Sequence, residues 1–417
     1  LIVQLINSDP SEITMPTQVI IPAGSFSASF TIRAINDTLE DPVEIVTITA
    51  RAPNHVDATA TIRVIDDDSI KIQGTDGDDK FVFIAGEPGK SHRVRVNGVW
   101  QVLAPSIRIV RFLGLGGNDM LVAIGTTGAD SVALSPGAAT FTGPSFAAYS
   151  ISVETNLIDA RGGANGTATF FDSAANDSFL ANPNAAAVWS AGYENDAFGF
   201  SRNVAIANAG GVDRAIFRDS PGNDSLVAQP TRTVMSGPGF QSIAHRFERT
   251  IARATRGGDA DSAVLYDNAG DQNYSSTQSQ ALMMGAGIFY NLFNFELVRA
   301  LSTGGFDAAA VYGTSGDDTI VARDRVVSLI SGGFSSDVFE FDRVTINGNG
   351  GYDTAYLYDS TGNDLLTGSG DTATLQGSGF FNRVVGFDQV TVFGFFGVNR
   401  KNIGSIGYLY TEFGTWV

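Results

Sequence analysis

Apolar and polar residues alternate in short runs along most of the 417-residue chain, and Gly, Asn, Asp and Ser break the runs. That is the pattern of short β-strands joined by tight turns, and nothing longer than a turn carries the 3.6-residue period of a helix. Residues 1–68 hold five such runs, LIVQLI, TQVIIP, SASFTIRAI, EIVTITA and TATIRVI, which predict a small antiparallel sandwich. From residue 69 to 417 the pattern repeats. A Gly-Gly pair begins at Gly116, Gly162, Gly210, Gly257, Gly304 and Gly350, with gaps of 46, 48, 47, 47 and 46 residues.

The repeating unit reads G-G-x-D-x-A-x-x-Y-D-S-x-G-N-D-x-L. Asp213 and Asp224, Asp307 and Asp318, and Asp353 and Asp364 share one spacing. The copy at Gly116 keeps Asp119 and Asp130, and the copy at Gly162 is degenerate. The second half of each unit carries a small apolar strand, a Gly-Phe-like turn, an aromatic, an aliphatic and the next Gly-Gly. Two all-β architectures fit a unit of this length. A parallel β-solenoid with two rungs per repeat is favoured, because Gly at a corner takes positive φ while Asn or Asp bonds local backbone and stacks on its copy in the next rung. At about 4.8 Å per rung it would form a rod of about 70 Å. The alternative is a seven-bladed β-propeller closed by strand exchange, since the array opens with DKFVFIAG, HRVRVNGV and IRIVRFLG and closes with a first-type strand, IGYLYTEFG. Phe217, Tyr266, Tyr312 and Tyr358 are expected at equivalent places in successive units; a core ladder is favoured, and on the outer face the same residues would form a sugar-binding stripe.

The text VIIPAGSFSASFTIRAINDTLEDPVEIVTITA, followed by TATIRVIDDD, resembles the Calx-beta domain of bacterial surface proteins and sodium–calcium exchangers. The resemblance covers most of residues 1–68. It implies an immunoglobulin-like sandwich that binds Ca2+ at one end, through Asp37, Glu40, Asp41 and Glu44 of the acidic loop and the closing Asp66, Asp67 and Asp68. Clustered carboxylates from two loops suit an ion that takes six to eight oxygens. The family's first strands would precede Leu1, so the chain reads as a fragment or processed product with an open sandwich edge, to which another chain could add a strand. The turns GLGGNDML, GTDGDDKF, GTSGDDTI and STGNDLL are similar to the calcium-binding nonapeptide repeats of secreted toxins and proteases. There the turns recur every nine residues and share ions. Here they recur about every 47, which points to Asp and Asn as turn formers.

Composition narrows the function. With 26 basic and 44 acidic residues the formal charge is −18, a field that repels nucleic-acid phosphates and anionic lipid. Cysteine is absent, which removes thiolate metal sites and thiol nucleophiles. No apolar run approaches 18 residues. His55, His92 and His245 lie far apart without a ligand motif, and no G-x-S-x-G, H-E-x-x-H or P-loop occurs. These features predict a non-enzymatic structural or adhesive protein of the bacterial cell surface, a rigid repeat scaffold stiffened by calcium. Its expected partners are other surface chains, further copies of itself, or glycans. Two alternatives stay open: a carbohydrate-active module (glycan-binding or a polysaccharide lyase), and a filament subunit assembled by strand complementation at the N-terminal sandwich.

Overall fold

The computed structural model describes residues 1–35, 43–65, 68–161, 166–255, 257–258 and 260–417, and the regular elements among them are all β-strands. At the N-terminus four antiparallel strands lie in the order Gln18–Ile20, Ile2–Asn7, Glu44–Arg51 and Ala58–Val64. A separate pair joins Ile13–Thr14 to Arg33–Ala34. Val46 and Ile48 point to one face and pack with Ile13, helped by Met15, Ile32, Ile62 and Val64. The alternate positions put Ile2, Ile6 and Ile45 on the other face, where all three are exposed.

The strand Ser69–Gln73 starts the array, which is a β-solenoid and not a propeller. Each unit folds into five strands. In the unit beginning at Gly210, Arg214–Arg218 lies in one sheet. The strands Ser225–Gln229, Arg232–Gly237 and Phe240–His245 form an antiparallel meander in the opposite sheet. Arg249–Arg253 then returns to lie parallel beside Arg214–Arg218, with Arg214 opposite Arg249. The next unit repeats this with the sheets exchanged. Ser262–Tyr266 extends the sheet of the first meander, through Ser225 opposite Ser262. The new meander of Asn273–Thr277, Gln280–Gly285 and Ile288–Phe293 extends the other sheet, through Arg249 opposite Phe289. We call the sheet of Ser225–Gln229 sheet I and that of Arg214–Arg218 sheet II.

Both sheets are therefore mixed, parallel between coils and antiparallel within meanders. Sheet I runs from Ser69–Gln73 to Leu409–Trp416, and each of these end strands pairs on one side. The long strand Gln389–Ile406 begins in sheet I and finishes in sheet II. With eighteen strands of sheet I among the described residues, the rod is about 80 Å long at the usual strand spacing.

The core lies between the sheets and follows a small-then-large pattern. Ala215 and Phe217, Ala263 and Leu265, Ala309 and Val311, and Ala355 and Leu357 are the inward pairs of successive first strands, and all are buried. The counterparts of Phe217 are thus Leu265, Val311 and Leu357. Tyr266, Tyr312 and Tyr358 sit one residue further on and point the other way, because neighbouring strand residues face opposite sides. The expected core ladder is corrected on two counts. Only Phe217 is a core residue, whereas Tyr312 is 36% exposed. Successive first strands also occupy opposite sheets, so side chains one unit apart cannot stack. The stack that exists joins Tyr358, Phe393 and Phe413 on neighbouring strands of sheet I, with ring centroids 4.4 and 5.2 Å apart and the rings nearly parallel.

The Gly-Gly pairs have a steric cause. The second glycine has positive φ (103° at Gly211, 102° at Gly305, 99° at Gly351) and lies against the backbone of the preceding turn. A Cβ on Gly211, Gly305 or Gly351 would collide with the carbonyl oxygen of Ala175, Gly270 or Gly316 respectively.

Candidate functional site

The acidic residues of the repeat gather in the turns along the solenoid edges, where they accept backbone N–H groups. In G-N-D the last residue caps its own turn: Asp224 accepts the Ser220 N–H at 2.8 Å and the Ser220 hydroxyl at 3.0 Å. Thr314 and Asp318, and Ser360 and Asp364, repeat this arrangement. The same Asp donates its own N–H to a carboxylate on the next coil. Asp224 donates to Asp261 at 2.7 Å and Asp261 to Glu296 at 2.8 Å. Asp318 donates to Asp353 and Asp353 to Asp388, each at 2.9 Å. The first residue of the G-N-D pair accepts too, Asn363 from the Val398 N–H and Asp317 from the Tyr352 N–H. So does the Asp after the aromatic position, Asp219 from Thr255 and Asp267 from Thr303. The repeat consensus is largely a list of acceptors for backbone donors 35 to 37 residues away.

Burial sets the electrostatics of these turns. It raises the pKa of Asp213, Asp261 and Asp267 to about 6, assisted by carboxylates on adjacent coils. Burial raises Asp119, Asp130 and Asp353 as well. Asp79 goes the other way, held below the usual carboxylate range by the Thr75 N–H and then by the Asn97 amide.

Of the seven residues implied as calcium ligands, Asp37, Glu40, Asp41, Asp66 and Asp67 lie outside the described residues. Glu44 is half-buried and stands opposite Val64, so the segments leading to both acidic clusters leave the same end of the N-terminal sheet. Asp68 is buried at the entry to the solenoid, where its carbonyl accepts the Arg108 and Ile109 N–H groups. Among the described residues no group of three or more His, Asp or Glu side chains is placed to hold a metal. His92 is buried, and its Nδ1 accepts the Gly86 N–H at 2.9 Å. His245 lies beside Arg232, Arg202 and Arg246, and His55 is exposed.

Sheet II carries a surface of a different kind. Its ten strands from Arg214–Arg218 to Leu365–Gly370, in order across the sheet, contain six arginines and no Asp or Glu. Three of the arginines lie over phenylalanine rings on the neighbouring strand: Arg249 over Phe289, Arg253 over Phe293 and Arg343 over Phe381, each 4.5 Å from guanidinium carbon to ring centroid. Between them the sheet sinks into a hollow of about 330 Å³, floored by Ser275, Ala308 and Ala310 and walled by Leu282 and Met284 on one side and Arg343 and Thr345 on the other. Sequence reasoning missed this face because net charge sums over the molecule. The local signal was present: Arg214 and Arg218, and Arg249 and Arg253, are four residues apart on strands, a spacing that puts both side chains on one face.

No protein-family model matches this chain, and no curated protein matches it.

Proposed function

We propose that the chain is a non-enzymatic structural and adhesive module of the cell exterior, a rod that presents two long sheet faces at a fixed spacing. The observation that supports this best is the use of the turn acids. Groups that could serve as general acids, bases or ligands are spent on N–H groups of adjacent coils, and the repeat spreads them evenly instead of converging them in a cleft. The test is incubation with a panel of acidic and neutral polysaccharides. This reading expects neither new reducing ends nor unsaturated products, together with straight rods of about 80 Å in negative-stain images. Release of either product would replace it with the polysaccharide-cleaving reading.

The N-terminal sheet is read as Calx-beta-like, with calcium held at the end where Glu44 faces Val64. An ion bound only by the folded state must raise the melting temperature, by an amount that grows with the logarithm of its concentration above Kd. Calcium should therefore raise the midpoint, and Glu44→Gln should reduce the rise. An unchanged midpoint at millimolar calcium would remove the ion from the mechanism.

A further inference from the structure

We propose that the outer face of sheet II, between Arg214–Arg218 and Phe380–Val385, binds a linear acidic polysaccharide. Arginines would hold its carboxylate or sulfate groups, and the amide and hydroxyl side chains between them would hold its hydroxyls. This gives the adhesive reading a class of ligand, and it is tested separately from that reading.

The first argument is charge. Arg214, Arg218, Arg249, Arg253, Arg343 and Arg383 are all exposed. None has an acidic partner within ion-pair distance among the described residues, whereas Arg299, Arg325 and Lys401 do. In a chain of net charge −18, six cations without an acidic partner on one sheet face form a segregated positive surface. The acids adjacent to these arginines in sequence, Asp213, Asp219, Glu248 and Asp342, accept backbone N–H groups at the turn edge, from Asp177, Thr255, Asp213 and Asp307 respectively.

The second argument is pre-organisation. A guanidinium lying over a ring keeps its N–H groups in a fixed plane, free to meet an anion in a two-pronged way. Arg249 and Arg253 leave the same strand face, and Arg343 lies across the hollow from the Arg249–Phe289 pair, so cations flank a depression on both sides. The floor is small and the walls are partly apolar, which suits the flat apolar side of a sugar ring. Asn273 and Ser275 line the hollow with Thr345, and Asn291 is next to it on the same face. These are donors and acceptors matched to hydroxyls.

The third argument separates this ligand from other polyanions. Exposed Asp271 and Asp317 lie in the bordering turns, and repulsion from such acids rises with the charge density of the ligand. A duplex carries one charge per ~1.7 Å of axis. A polysaccharide with one charge on every sugar or two places fewer charges near those edges while still reaching the arginines.

The experiment uses the whole chain and three polymers: polygalacturonate, dextran sulfate and uncharged dextran, with affinity measured calorimetrically at 50 and 300 mM NaCl. The expected result is binding of at least one charged polymer, weakened by salt, and none of dextran. Polygalacturonate alone would identify carboxylate recognition, and dextran sulfate alone sulfate recognition. The triple variant Arg249→Gln, Arg253→Gln, Arg343→Gln should lose at least tenfold in affinity with an unchanged melting midpoint. Ala310→Trp, which fills the hollow, should also weaken binding. Arg202→Gln with Arg232→Gln, on sheet I, should leave it unaltered. The proposal is overturned if the triple variant binds like the parent, if dextran binds equally, if a single-stranded oligonucleotide binds more tightly than either charged polymer, or if neither charged polymer binds at 50 mM NaCl. Polymer cleavage in the same mixtures would sink the scaffold reading without deciding this one.

Discussion

The backbone N–H of Asp224 donates to the carboxylate of Asp261, 37 residues further along the chain, at 2.7 Å. One coil of the solenoid is thereby tied to the next by a side chain. Asp261→Ala would leave the Asp224 N–H buried without an acceptor, at a cost of about 1–3 kcal/mol. Asp261→Asn keeps an acceptor and removes a charge that burial disfavours, so it should be close to neutral. The chain already contains this solution, since Asn399 accepts the Asp364 N–H at 3.0 Å. Urea unfolding of the two variants would check the order, and equal losses would contradict the acceptor role.

Acidification should stabilise the fold at first. Asp196, Asp213, Asp261 and Asp267 have folded pKa values of about 6, against about 3.9 in an unfolded chain. Between those values the folded state binds more protons, so stability rises as pH falls through that window. His92 and His245 oppose this, because burial depresses both and the unfolded chain takes up their protons first. Four carboxyls against two imidazoles predict a higher melting midpoint at pH 5.5 than at pH 7.5. Below about pH 4 the trend should reverse, as Asp79, held low by the Thr75 N–H, loses its contribution on protonation. Calorimetric scans across this range would show the maximum, and a midpoint that falls steadily from pH 7.5 would refute the assignment.

The two glycines of one pair should differ in tolerance. Gly350 and Gly351 both have positive φ, but a Cβ on Gly350 meets open space while one on Gly351 strikes the Gly316 carbonyl. Gly350→Ala should cost about 1–2 kcal/mol, the left-handed penalty alone. Gly351→Ala should cost more, or force the turn apart. Denaturant midpoints of the two variants settle the comparison.

The outward turn of the tyrosines can be tested in the same way. Phe217→Ala empties a core position and should cost about 3–5 kcal/mol. Tyr312→Ala acts at a partly exposed position, with no partner ring among the described residues, and should stay within about 1 kcal/mol. Comparable losses would mean that both side chains are core.

Much of this fold was legible in the sequence because its physics is local. The Gly-Gly pairs announce the turns, since only glycine fits where one coil's backbone touches the next. Asp224 and its copies announce the caps by their spacing from Ser220 and its copies. The inward partners went astray because Phe217 and Tyr266 are both aromatic, and matching them by type slipped the alignment one place from the Asp219 and Asp267 anchors. A one-residue slip exchanges inside for outside along a whole strand. The alternation of sheets was not legible at all, because a strand with one buried and one open side carries the same pattern in either sheet. The arginine face needs that alternation, being assembled from single strands of two units and meanders of two others, and so it became visible only in three dimensions.

The exchange of sheets from unit to unit also bears on how such an array can grow or shrink. Loss of a single unit, for instance between Gly257 and Gly304, would leave every later strand an equally good inner side, yet move it across the rod. The arginines at 343 and 383 would then lie back to back with those at 214 and 249. Removing two units together would restore every surface to its original side. Changes in repeat number by recombination are therefore expected to conserve surface chemistry only in even steps, with about 94 residues as the heritable module.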